Sequence, residues 1–115
     1  MGLQISSRKS GDVVIFDLQG RATIGRSSDE LSAELRKAID GGNRKILVNL
    51  TGVSQVDSSG ISTIVRNFVT VRRLGGTLKL LHPSGHVYEV LELTRLLQTI
   101  PSFNDEAAAL ASFSS

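Results

Sequence analysis

The 115 residues fit one domain with one core, and apolar residues at 40% against charged residues at 21% give an ordinary balance for a folded chain facing water. Thirteen basic and 11 acidic residues leave a net charge of +2, too small and too scattered along the sequence to argue for nucleic acid, and the lack of cysteine excludes a disulfide framework, thiol catalysis and thiolate metal sites. No apolar run reaches membrane-spanning length and Met1–Ser10 lacks the basic start and apolar centre of a secretory signal, so a cytoplasmic location without a membrane partner is expected.

Leu3 and Ile5 alternate with polar neighbours, and Val14, Phe16 and Leu18 alternate again beyond Ser10, Gly11 and Asp12, which predicts an opening antiparallel hairpin. Gly20–Arg26 reads as a loop of small residues. Ser27 and Glu30 then have capping-box spacing, and Leu31, Leu35, Ala38 and Ile39 share one helical face before Gly41 and Gly42. Ile46, Leu47, Val48 and Leu50, broken only by Asn49, suit a strand buried on both faces of a mostly parallel sheet. After Val53–Val56 the period changes. Ile61, Ile64, Val65, Phe68 and Val71 recur at helical spacing, Ser62, Arg66, Thr70 and Arg73 fall on the other side, and Arg72, Arg73, Gly75 and Gly76 mark the end.

Thr77–Leu81 predicts another strand, interrupted by His82 and Pro83. Ser84–Leu93 predicts a short helix with Val87, Val90 and Leu91 inward, and Leu96–Ile100, leading into Pro101, leaves room for only a brief edge strand. Ser102 and Asp105 again have capping spacing, ahead of a closing helix carrying Ala107, Leu110, Ala111 and Phe113, with Ser114 and Ser115 frayed. The order predicts an α/β fold: a single domain over residues 1–115, with a mixed sheet of four to five strands, an antiparallel hairpin at one edge, the remaining strands largely parallel, and about four flanking helices. Sites in such sheets gather beyond the carboxyl ends of the parallel strands, where the Gly20 and Asp57 loops would both emerge.

Between the buried strand and the central helix stand Asp57, Ser58, Ser59 and Gly60. Asp57 or Ser58 can cap the helix, for about 1 kcal/mol, and three small polar residues in a row exceed what capping needs. A hydroxyl there meets free N–H groups and the positive end of the macrodipole, which suits Ser58 or Ser59 as a phosphate acceptor; the plainer alternative is a cap with two turn residues. Three other chemistries fit less well. Gly20, Gly25, Arg26 and Ser27 approach the phosphate-loop pattern, but arginine stands where lysine is required, which leaves at most weak nucleotide binding. A serine hydrolase using His82 or His86 lacks the glycine two residues before either serine, those positions being Val56 and Asp57. Pro83 and Gly85 weaken any helix that would let the two histidines share a metal.

The run Asp57–Gly60, the strand with Asn49 and Leu50, the long helix ending at Leu74, Gly75 and Gly76, the Thr77–Leu81 strand and the Leu91–Leu97 segment together resemble the STAS family (sulfate transporter and anti-sigma factor antagonist), in particular its bacterial anti-sigma-factor antagonists. The resemblance covers nearly the whole chain. It implies a small α/β domain that exchanges partners and is not an enzyme, with no cofactor and no metal. A kinase-type anti-sigma factor would bind the unmodified domain and phosphorylate the serine after the aspartate, here Ser58, causing release; a serine phosphatase would reset it. The contact surface would combine Asp57, Ser58, Ser59, Gly60 and Ser62 with Arg21, Thr23 and Arg26, Asp57 positioning the hydroxyl and Gly60 letting the partner backbone approach. Many family members have an acidic residue where this chain has Gly20, Arg21, Ala22 and Thr23, and glycine where Ser62 stands. A monomer or weak dimer is expected. The alternative within the family is a non-switching scaffold or a subunit of a stressosome-like or lipid-transport assembly.

Overall fold

The structure is a computed structural model; it describes residues 3–22, 26–83, 85–95 and 98–113, with the side chains of 21, 22, 26–28 and 86 left aside. Five strands form one mixed sheet: β1 (Leu3–Ser10), β2 (Val13–Ala22), β3 (Lys45–Val56), β4 (Thr77–Leu81) and β5 (Ser102–Phe103), in spatial order β1-β2-β3-β4-β5. The β1–β2 hairpin is antiparallel and every later neighbour is parallel. Between them run α1 (Arg26–Asp40), α2 (Ser58–Arg73) and α3 (Gly85–Leu93), and α4 (Glu106–Ser112) follows β5.

Because spatial order follows chain order, the three crossovers leave α1, α2 and α3 on one face of the sheet. There Val14, Phe16 and Leu18 of β2, Ile46, Val48 and Leu50 of β3, and Leu78 and Leu80 of β4 pack against Leu31, Leu35 and Ile39 of α1, Ile64, Phe68 and Val71 of α2, and Val87 and Leu91 of α3. The other face holds a smaller cluster in which Val13, Ile15, Leu47 and Leu81 meet Ala109 of α4 and Phe113, the residue that follows it as C-cap. β3 is thus buried on both faces, as its apolar run predicts.

Along β3 the inward positions change spacing, from Ile46, Val48 and Leu50 to Val53 and then Val56. Asp17↔Asn49 is followed by Gln19↔Gly52, and Gly20↔Val53 by Arg21↔Gln55, so β3 carries an extra residue at two places. Each bulge turns the strand by one position and restores an apolar residue to the core.

Several boundaries differ from the sequence expectation. Gly20, Arg21 and Ala22, expected in a loop, extend β2 and pair with Val53, Gln55 and Val56. Ser27 lies in the first turn of α1, which starts at Arg26, so it is not the cap that a Ser27–Glu30 box requires. The brief edge strand falls after Pro101 rather than before it. It consists of Ser102 and Phe103 beside Leu80 and Leu81, with Leu80 N–H donating to Pro101 O at 2.9 Å and His82 N–H to Phe103 O at 2.7 Å. Ser102 is therefore strand, and Asp105 alone caps α4, accepting from Ala108 N at 2.9 Å. Ala107 and Ala111 are exposed, and α4 faces inward through Ala109, Leu110 and Phe113. Leu96, Leu97, Ser114 and Ser115 lie outside the described residues.

Candidate functional site

The parallel register brings the carboxyl ends of β2 and β3 together at Ala22↔Val56, so α1 and α2 both open at one end of the sheet. Asp57 leaves β3 in an extended conformation, φ −118° and ψ −171°, and serves as the N-cap of α2. Its Oδ1 accepts from Ser59 N at 2.9 Å and Gly60 N at 3.2 Å, and its carbonyl accepts the first helical bond from Ile61 N at 3.0 Å. Of the two capping candidates the aspartate holds the position. Ser58, the first helical residue, is consequently free of capping duty: its side chain is exposed and its hydroxyl makes no hydrogen bond to another described residue.

Ser59 is half-buried, and Gly60 is buried within the domain itself, its N–H taken by the Asp57 carboxylate. Gly60 thus contributes to the site through the cap and the packing of the first turn rather than as open surface. Ser62 is exposed one turn beyond Ser58, and Arg66 is exposed one turn further, so the three occupy one stripe of α2. Arg21 stands one residue before the end of β2, opposite Gln55, and Arg26 begins α1; both backbones stand at this end of the sheet. Thr23 lies outside the described residues.

A feature that the periodicity conceals is the groove of about 440 Å³ between α2 and the end of α3, lined by Ile61, Ser62, Val65, Arg66 and Thr94. Ile61 and Val65 read as core from their spacing, and they do pack against the core, but each keeps an exposed edge that lines the groove. Beside it Leu93 is 84% exposed, an unusual placement for so large an apolar side chain. The only available signal in the sequence was that Ile61 and Val65 sit four apart on the flank of the apolar stripe.

Of the nearly matching phosphate-loop pattern, Gly20 to Ala22 are paired with β3 as strand, and Gly25 lies outside the described residues. His82 adopts φ +55° at the end of β4, where its N–H closes the contact with β5. Among the described residues no cluster of three or more His, Cys, Asp or Glu could hold a metal ion, and no helix is long and apolar enough to cross a membrane. The shifted titrations lie away from this end. Arg8 bridges Asp17 at 2.7 Å and Glu106 at 2.5 Å, and it holds both carboxyls below their ordinary range, Asp17 with additional help from Asn49. Burial lowers the Lys79 ammonium, which lies 4.5 Å from the Phe113 ring centre and donates to Ser112 Oγ at 2.8 Å.

Residues 4–109 match the STAS domain family. A candidate anti-sigma factor antagonist of Bordetella bronchiseptica, BtrV, is 28% identical over 111 residues, covering 96% of this chain and 95% of the relative. The crystal structure of a candidate anti-sigma factor antagonist from Thermotoga maritima superposes with a TM-score of 0.84 at 23% identity, covering 96% of this chain and 95% of that one. SpoIIAA of Bacillus in its phosphorylated form gives 0.71 at 22% identity, covering 93% and 96%; at such identities the structural likeness speaks to the fold alone. With a family match spanning nearly all of the sheet and helices described above, the chain belongs to the STAS domain family.

Proposed function

We propose that this chain is an anti-sigma factor antagonist, a binding module whose hold on a kinase-type anti-sigma factor is controlled by phosphorylation of Ser58. The observation that carries the reading is the division of labour at the start of α2: Asp57 satisfies the helix, and the adjacent Ser58 hydroxyl is left exposed with no structural task. A phosphate there adds about 1.5 to 2 negative charges at the helix mouth. The positive end of the helix dipole tolerates that charge, so the domain stays folded. A partner surface packed over Ser58 does not, since it would have to strip water from the phosphate beside the Asp57 carboxylate.

The name of the Bordetella relative supports the reading as an anti-sigma factor antagonist. On this reading the contact surface runs from the β2–α1 connection, with Arg21, Thr23 and Arg26, across Ser58, Ser59 and Ser62 to the α2–α3 groove. The module itself carries out no chemistry; the partner supplies the kinase and a separate phosphatase restores the hydroxyl. The test is capture of the anti-sigma factor from the native cell, followed by binding assays with Ser58→Ala and Ser58→Asp. Ser58→Ala is expected to bind and to resist release by ATP, and Ser58→Asp to bind at least about tenfold more weakly. Equal affinity of the two variants would instead favour a lasting scaffold or assembly subunit.

A further inference from the structure

Charge that is scattered along the sequence is gathered by the fold. The register row Ser10, Val13, Lys45 and Thr77 marks the end of the sheet opposite Ser58, and α1 and α2 both finish there. Lys45 is paired with Asp12 at 2.9 Å, and Arg44 donates to the carbonyls of Ile39 and Asn43. Lys9, Arg36, Lys37, Arg72 and Arg73 remain against Asp40 at the end of α1, and among the described residues none of these five cations has a carboxylate within ion-pair distance.

At this same end the sheet has an open edge. β1 pairs with β2 along all eight of its residues and with no other strand among the described residues, and Ser6 to Ser10 are exposed. Beside it lies a trough of about 470 Å³ between β1 and α1. Val14, Phe16 and Ala38 give it an apolar floor, Lys9 and Lys37 stand on its two walls, and Glu34 is the one acidic residue lining it. Arg8 also borders it, but its guanidinium is engaged by Asp17 and Glu106.

We propose that the free edge of β1 and the trough beside α1 dock an extended acidic segment of a partner protein, added to the sheet as a further strand. Unpaired backbone groups along an edge require an extended chain, and a helix-walled apolar trough beside that edge accepts alternate side chains of the added strand. The unpaired Lys9 and Lys37 select carboxylates for the other positions, and the basic end as a whole steers an acidic segment inward. A phosphodiester chain would satisfy the lysines and leave both the apolar floor and the strand edge unused. A second copy of β1 added edge to edge would bring no carboxylate to Lys9 and Lys37, since Leu3–Ser10 contains no acidic residue. The site lies at the far end of the sheet from Ser58 and does not depend on the switch proposed there.

The probe is a fluorescein-labelled, capped nonapeptide alternating Glu with Val, titrated into the full chain while anisotropy and backbone amide shifts are followed. Saturable binding is expected, with shifts concentrated at residues 6–10 and 34–38. Lys9→Glu combined with Lys37→Glu should weaken it about tenfold, while Ser58→Asp leaves it unchanged. Both lysines are exposed, so the double variant should fold, and Ala38→Gln, which narrows the trough without altering charge, provides a second check by weakening binding as well. Absence of saturable binding, equal binding of a Lys-Val counterpart, shifts centred on residues 57–62, or displacement of the peptide by a short DNA duplex contacting the same residues would overturn the proposal.

Discussion

The two ends of α2 are closed by different means. At its C-terminus Gly76 N–H reaches back to Val71 O at 2.8 Å and Gly75 N–H to Arg72 O at 3.1 Å, with Gly75 at φ +89°. Gly76 lies so close to the Arg44 backbone that any Cβ would overlap its carbonyl, the same carbonyl that accepts from Thr77 N at 2.8 Å. The backbone turn at that end is committed to the fold. At the N-terminus one carboxylate does the capping and a neighbouring hydroxyl is left over. A helix end that is fully used identifies structure, whereas surplus polar chemistry on a well-capped end identifies a place for function.

The difference can be tested from both sides. Gly76→Val should cost the most, about 3 kcal/mol by urea denaturation, because the obstruction is backbone rather than a mobile side chain. A loss below about 1 kcal/mol would mean that this junction is looser than described. Ser58→Asp should do the reverse, leaving the urea midpoint within about 0.5 kcal/mol of the parent while partner affinity falls. Asp57→Ala should combine the two effects, losing about 1 kcal/mol with the cap and some affinity with the hydroxyl's position, and Asp57→Asn should recover most of the stability.

The smallest expected effect lies on the opposite face, where Arg8 ties β1 to α4. Asp17 and Glu106 have folded-state pKa values below their unfolded ones, so their contribution is present above the unfolded values and is lost as pH falls through the folded values. Stability should therefore decline by a few tenths of a kcal/mol between about pH 5 and pH 3, a small figure because the Arg8–Glu106 pair is solvent-exposed. Arg8→Met should flatten that part of the profile, and an unchanged slope would remove the tie from the account.

Much of this was legible in the sequence because local rules and tertiary context agree. The apolar faces of α1 and α2, the doubly buried β3, the β4 strand and the hairpin all follow from period and turn chemistry. Where reading failed, a long-range contact had decided. Gly20 to Ala22 look like a loop, yet pairing with a bulged β3 holds them as strand. Ser102 and Phe103 are a strand only because Leu80 and Leu81 lie beside them. Thr63 and Asn67, buried polar residues on α2, carry no sequence signal; Asn67 Nδ2 donates to Thr63 O at 2.8 Å within the helix. At the site, the Asp-Ser-Ser-Gly run indicated a cap and a surplus hydroxyl, and only the hydrogen bonds assigned the cap to Asp57.

The central claim is that charge placed on the Ser58 hydroxyl dissociates the partner without disturbing the domain. The direct measurement is the affinity of the captured anti-sigma factor for this chain before and after stoichiometric phosphorylation, with thermal melting of both forms alongside. The account predicts a fall in affinity of at least about tenfold, with phosphate mapped to Ser58 and melting temperatures that agree closely. Undiminished binding by the Ser58-phosphorylated chain, or release that occurs only because the domain unfolds, would contradict it.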